Sequence, residues 1–265
     1  MQRPKTEILD VFFDESGKRK NKPNLMGALS VPRQLYLSEP FQLLSQRLRD
    51  GELKLHWTEY TGYEKLKADI SEVINIVSRY NHLLKFFVIN YDYSAIANKS
   101  DFAKYIAEEM IYTKFPERII YGLLRRYGRN VFIEANLRIE DSTEYQSFKL
   151  HERLKDQLNV QSLYRGERFI VNESHLVPKG QEIGVELVDI LLGMTRTIIL
   201  NQSSDTKGSS SKNNLIVELL RNTAFFSLLK NIRCFEWEDT KDLTEVSFGD
   251  YLQLFLANHH NPFYR

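Results

Sequence analysis

The stretch Ile8-Leu9-Asp10-Val11-Phe12-Phe13-Asp14-Glu15-Ser16-Gly17 decides how this chain is read. Its branched and aromatic residues favour a strand, and the apolar run climbs into two adjacent carboxylates before stopping at a Ser-Gly turn. Burying an unpaired carboxylate is costly enough that the group takes up a proton or finds a cation. Successive strand side chains point to opposite faces, so Asp14 and Glu15 do not address one ion. Asp14 is the candidate ligand, and Glu15 reads as a turn or supporting residue. Ser16 and Gly17 let the backbone bend and offer N–H groups to a phosphate. Lys18, Arg19, Lys20 and Lys22 follow at once; they suit a solvated hairpin tip and also an electrostatic grip on a polyanion.

A second anomaly lies far downstream, in Gly184-Val185-Glu186-Leu187-Val188-Asp189-Ile190-Leu191-Leu192-Gly193. Ile183, Leu187, Ile190, Leu191, Met194 and Ile198 recur at helical spacing, which predicts a helix from Glu182 to about Leu200. Asp is a poor residue for a helix interior, yet Asp189 sits between Val188 and Ile190. Glu182, Glu186 and Asp189 share one helical face, either as a solvated stripe or as carboxylates carried toward the strand that ends at Asp14.

Together, Phe12-Phe13-Asp14-Glu15-Ser16-Gly17, the Glu52-Leu53-Lys54 segment and the late Gly184…Asp189…Gly193 helix resemble one family of prokaryotic proteins, domain of unknown function 3800. The resemblance spans roughly the first three quarters of the chain. It implies an α/β fold, an RNase H-like mixed sheet flanked by helices, here with a helical C-terminal extension. It further implies a site in which carboxylates hold two Mg²⁺ or Mn²⁺ ions about 3.5–4 Å apart, clamping the attacking and leaving oxygens of a phosphodiester. Hard divalent cations of this kind take oxygen ligands and keep several waters. On that resemblance Asp14 is the bridging ligand and Asp189 the distal one. Family members more often carry Gln-Leu-Ala-Asp where this chain has Glu186-Leu187-Val188-Asp189, so Glu186 either adds a metal ligand or replaces an amide.

The remaining site residues are less sharply marked. Glu52 matches the family's Glu-x-Lys stretch as a second catalytic carboxylate and Lys54 as a phosphate contact; both equally suit an exposed strand that alternates with Leu53, Leu55 and Trp57. The middle carboxylate should end another sheet strand. Glu134, after Asn130-Val131-Phe132-Ile133, is the first choice for catalysis and metal binding, although the family tends to have Asp there; Asp141 is its rival.

Other chemistries find little support. The six histidines, His56 among them, have no zinc-type spacing, Cys234 stands alone, and the nucleophile-elbow, Walker and dinucleotide motifs are missing. With 36 basic and 35 acidic residues the net charge is +1, so a nucleic acid must be held by a local patch and by metal. No opening leader and no run approaching about 20 apolar residues are read, so a cytoplasmic protein is expected, with no membrane partner.

Strands are predicted near 7–14, 24–31, 83–93 and 130–137, with a further one reaching Asn172. Helices are predicted over Tyr63–Tyr80, Asp101–Tyr127 with a kink near Pro116, Ser142–Leu158, Leu215–Lys230 and Asp250–Asn258. Residues 1–200 then form an RNase H-like catalytic core, the Ser-rich 201–214 a flexible loop, and 215–265 an extension packed on the core. The extension's aromatics (Phe235, Trp237, Phe248, Tyr251, Phe255, Phe263) are candidates for internal packing or for a homodimer face. The functional expectation is a Mg²⁺- or Mn²⁺-dependent nuclease acting on DNA or RNA. The alternatives are a catalytically degenerate RNase H-like module that binds nucleic acid or protein, and a hydrolase of a small phosphorylated molecule.

Overall fold

The first strand, β1 (Lys5–Ser16), folds back on β2 (Asn24–Pro32) through Gly17. The glycine has φ +78°, and a Cβ there would lie 2.5 Å from the carbonyl oxygens of Asn21 and Pro23. Only glycine takes that turn without strain. Our computed structural model describes residues 5–17, 21–94, 101–203, 206–237 and 242–259, without the side chains of 101–104. Lys18, Arg19 and Lys20 therefore lie outside the described residues.

The strand β3 (Lys85–Tyr91) continues the antiparallel meander, and β4 (Val131–Glu140) and β5 (Phe169–Val177) add in parallel on the other side of β1. The order β3-β2-β1-β4-β5 with these directions is an RNase H-like sheet. Two further strands, β6 (Arg233–Trp237) and β7 (Thr244–Ser247), extend it beyond β3. The C-terminal extension is thus part of the sheet as well as helical.

The alternation of β1 sorts its neighbours. Phe12 faces a core built with α1 (Arg33–Tyr36), α2 (Glu39–Arg49), α3 (Glu64–Ser78) and α8 (Ile183–Leu200). Val11 and Phe13 face the other core, with α4 (Asp101–Glu109), α5 (Phe115–Leu124), α6 (Thr143–Ser147) and α7 (Leu150–Arg165). The break expected near Pro116 is a π-turn at Met110–Lys114, after which the proline sits in the first turn of α5, where its missing N–H costs nothing.

Two expectations are corrected. Residues 201–214 are not one loop: α9 (Lys207–Leu220) begins inside them, capped by reciprocal bonds between Thr206 and Ser209. It leads into α10 (Thr223–Lys230) and α11 (Phe248–His259). Residues 52–57 are extended but pair with no strand. Their alternation holds all the same, with Leu53, Leu55 and Trp57 buried. Trp237, Phe248 and Phe255 are buried within the chain, while Phe263 lies outside the described residues.

The two glycines of the late helix position the site. A Cβ on Gly184 would meet the Phe12 ring at 2.4 Å, and one on Gly193 would meet Trp57 at 2.2 Å. Real Cβ contacts never come so close, so alanine at Gly184 would push α8 away from the sheet, and alanine at Gly193 would displace Trp57 and the 52–57 segment that carries it. Asp189 lies between these two contact points and is held by both.

Candidate metal centre

Four carboxylates converge where β1, β4 and α8 meet. Asp14 is buried near the end of β1, and the parallel register, which pairs Phe13 with Ile139, sets Glu140 beside it. The two carboxyl side chains lie within hydrogen-bond reach of each other. Burial, the Glu140 charge and hydrogen bond, and the Asp189 charge hold the Asp14 carboxyl well above the usual carboxylate range. The Glu15 amide, 2.7 Å from Oδ1, opposes them weakly.

From α8 come Glu186 and Asp189. Glu186 is only 2% exposed; the Gly180 amide donates to its Oε1 at 2.7 Å, and its Oε2 has no hydrogen-bond partner. Asp189 accepts the Trp57 backbone N–H, while its Oδ2 is also unpartnered. Burial raises both pKa values, partly offset by Lys179 and His56. The His56 Nδ1 stands 3.9 Å from Glu186 Oε2, and the three side chains offer ligand atoms within 4.8 Å of one another. An oxygen without a donor does not by itself mark a cation site, since Asp10 Oδ2 has none either; here the ligand atoms also lie close enough together for one ion to join them. The carboxylate oxygens suit Mn²⁺ or Mg²⁺, whereas the His56 imidazole is a nitrogen donor of the kind softer divalent ions take.

Lys179, on the loop before α8, stands 4.0 Å from Glu140 at the rim. Burial would lower its pKa, but Asp189, Glu140, Glu186 and Asp14 together raise it. It is the cation that these acids hold within the chain.

The expected site residues divide. Asp14, Asp189 and Glu186 are brought together. Glu134 is not: it pairs with Ile8, six residues and about 20 Å before the strand tip, and accepts from Asn172. Asp141 points away, accepting from Gln146. The acid that β4 sets beside Asp14 is Glu140, one residue before Asp141 and missed in the sequence. Glu52 is exposed, 4.0 Å from Arg47, and Lys54 is exposed with its backbone bonded to Asp69. What that segment delivers to the site is instead His56 and the Trp57 amide. Glu15 faces the opposite side, among Tyr91 and Tyr145, as strand alternation requires. The basic Arg125-Arg126-Tyr127-Gly128-Arg129 run lies before β4 begins, at the end of the sheet away from the acids.

Comparison with known protein families, with curated proteins and with solved structures finds no match for this chain. No helix among the described residues is long and apolar enough to cross a membrane.

Proposed function

We propose that this chain is a Mg²⁺- or Mn²⁺-dependent nuclease, a hydrolase of DNA or RNA phosphodiesters that works in the cytoplasm. The observation that carries the reading is the convergence of Asp14, Glu140, Glu186 and Asp189, with buried oxygens of Glu186 and Asp189 left without donors. The resemblance of the Asp14-Glu15-Ser16-Gly17 motif and the late helix to domain of unknown function 3800 supports the same class. Asp14, Glu140, Glu186, Asp189 and His56 would hold the ion. When bound, it would polarise a phosphoryl oxygen and lower the pKa of a bound water.

The chain's own groups prepare that site. The amides of Gly180 and Trp57 occupy one oxygen of Glu186 and of Asp189, which fixes the direction of the other. Burial and the neighbouring acids favour the protonated form of Asp14 in the metal-free state, and a bound cation would favour its ionised form. Lys179 offers a donor toward an anionic substrate at the rim.

One observation favours a second reading, that of a binding module on a degenerate scaffold. Lys179 already supplies a cation to the acids, so the cluster could be neutralised without metal. A cleavage assay separates the two. Purified protein is incubated with single- and double-stranded DNA and RNA in Mn²⁺, Mg²⁺ or EDTA, beside Asp14→Asn and Asp189→Asn. The nuclease reading expects metal-dependent cleavage that falls about a thousandfold in both variants, the several kcal/mol such a site contributes. Intact substrates with the wild type, or variants that cut equally well, would favour the binding module.

A further inference from the structure

Two turns beyond Asp189 on α8, about 10 Å along the helix, lies a half-open pocket of about 320 Å³. Its walls come from the end of β1 at Ser16, from Trp57, from Arg196 on α8 and from Gly208 and Lys212 on α9. That volume lies at the small end of small-molecule sites, roughly 300–1,000 Å³. It suits a single nucleotide unit and is far too narrow for a duplex.

The cavity's charge is the informative feature. Arg196 and Lys212 are both partly buried, and neither has a carboxylate partner among the described residues. Arg196 donates to backbone carbonyls alone: Nε to Pro23 at 3.2 Å, and Nη2 to Asn21 at 3.2 Å and Lys22 at 3.0 Å. Its Nη1 bonds to no described residue. Lys212 reaches the Thr58 carbonyl only at 3.4 Å and lies 5.9 Å from the Trp57 ring centre. Burial depresses the pKa of both; for Lys212 the neighbouring Arg196 charge adds to the effect and the Asp189 charge opposes it. Two cations that repel each other in a partly desolvated wall are costly unless an anion joins them. At the same wall α9 begins; the Thr206 cap takes the Ser209 amide, and the Lys207 and Gly208 amides ahead of it have no partner within the helix and suit an anion. Ordinary surface lysines carry no such penalty, since water solvates them.

We infer that this cavity binds the phosphomonoester of a nucleotide, seated between Arg196, Lys212 and the first turn of α9. The inference rests on the nuclease reading only for its consequence: a phosphorylated strand end held here would lie next to the carboxylates. The ligand has two sources, a free nucleoside monophosphate or the phosphorylated end of a strand.

The test is calorimetric binding in EDTA, so that no metal site is needed. The probes are adenosine monophosphate, adenosine, inorganic phosphate, and short single-stranded oligonucleotides with phosphorylated or hydroxyl ends. The variants are Lys212→Met, which keeps the stem against Trp57, and Gly208→Glu. A Cβ at Gly208 meets only the Thr61 methyl, at 3.9 Å, so the second variant adds a negative charge to the wall with no backbone clash. Adenosine monophosphate should bind at least tenfold more tightly than adenosine, and both variants should lose at least tenfold. Preference for the phosphorylated oligonucleotide over the monophosphate names the strand end as ligand; the reverse names the free nucleotide. No binding of any phosphorylated probe, or equal binding by folded variants, overturns the inference. Binding without metal-dependent cleavage would leave this site standing and remove the nuclease reading. Cleavage with no phosphate binding in EDTA would do the opposite.

Discussion

Asp10 and Asp14 lie four residues apart on one strand, on one face, and both are buried, yet their surroundings are opposite. Asp10 is fully buried and its Oδ1 accepts from Arg33 at 2.8 Å and Arg138 at 2.6 Å. Arg138 also stands 3.6 Å from Glu182, which accepts a short bond from Tyr36. That network ties β1 and β4 to the start of α8, and each charge in it has an opposite one. Asp14, by contrast, meets Glu140 and Asp189. Like charges in low dielectric are expensive, and nothing in the packing of Phe12 or Gly184 requires them. The first acid is part of what builds the sheet; the second is tolerated by it. Buried charge therefore does not mark a site, whereas buried charge left uncompensated does.

The contrast breaks most sharply under mutation. Asp10→Asn should destabilise the protein by about 3 kcal/mol, near the lower end for breaking a buried pair because Arg33 is one-third exposed. Asp14→Asn should stabilise the metal-free protein by about 1 kcal/mol, as removal of a strained functional group commonly does. Urea unfolding in EDTA measures both, and equal signs would refute the distinction.

A smaller effect is carried by pH. The folded-state pKa values of Asp14, Glu186 and Asp189 are raised, chiefly by burial. In each case the folded state binds its proton more tightly than the unfolded chain. Their contribution to stability is thus fully present below the unfolded carboxylate value and is lost as pH rises through the raised folded values. The slope is at most about 1.4 kcal/mol per pH unit for each proton. In EDTA the wild type should lose stability over that rise, and Asp14→Asn should lose less. Curves that run parallel would mean that Asp14 titrates normally.

The smallest effect is expected at Glu134. Away from the cluster and bonded to Asn172, it should tolerate Glu134→Gln within about 0.5 kcal/mol in the same unfolding experiment. Metal-dependent cleavage should be unchanged, whereas Glu140→Gln should reduce it. A reversal of those two would restore Glu134 to the site.

The reason Glu134 looked attractive shows where sequence reading runs out. The run Val131-Phe132-Ile133 ends in an acid just as β1 does, but β4 continues six residues further, through the charged Arg138. The usable signal was the alternation Ile133, Ala135, Leu137 and Ile139, all buried, which puts Glu140 on the Asp14 face. Asp14 and Asp189 were legible because each interrupts an apolar pattern. His56 and Lys179 were not, since both come from segments without regular structure and only tertiary packing brings them to α8. Strands β1 to β4 and the helices after them were legible from their apolar patterns, but α1, α2, β6 and β7 were not read, and the order of the sheet came from the family resemblance. The first turns of α9 were not legible, because Lys207-Gly208-Ser209-Ser210-Ser211 carries no apolar stripe and its cap is the Thr206–Ser209 pair.

The central claim is that the acids around Asp14 form a cation site, and titration of Mn²⁺ into metal-free protein tests it most directly. Calorimetry in buffers of different ionisation heat should find saturable binding with release of a proton. Affinity should rise with pH as Asp14 and its neighbours ionise, and binding should be lost in folded Asp189→Asn. Absence of saturable Mn²⁺ binding, or equal binding by Asp189→Asn, would contradict the account.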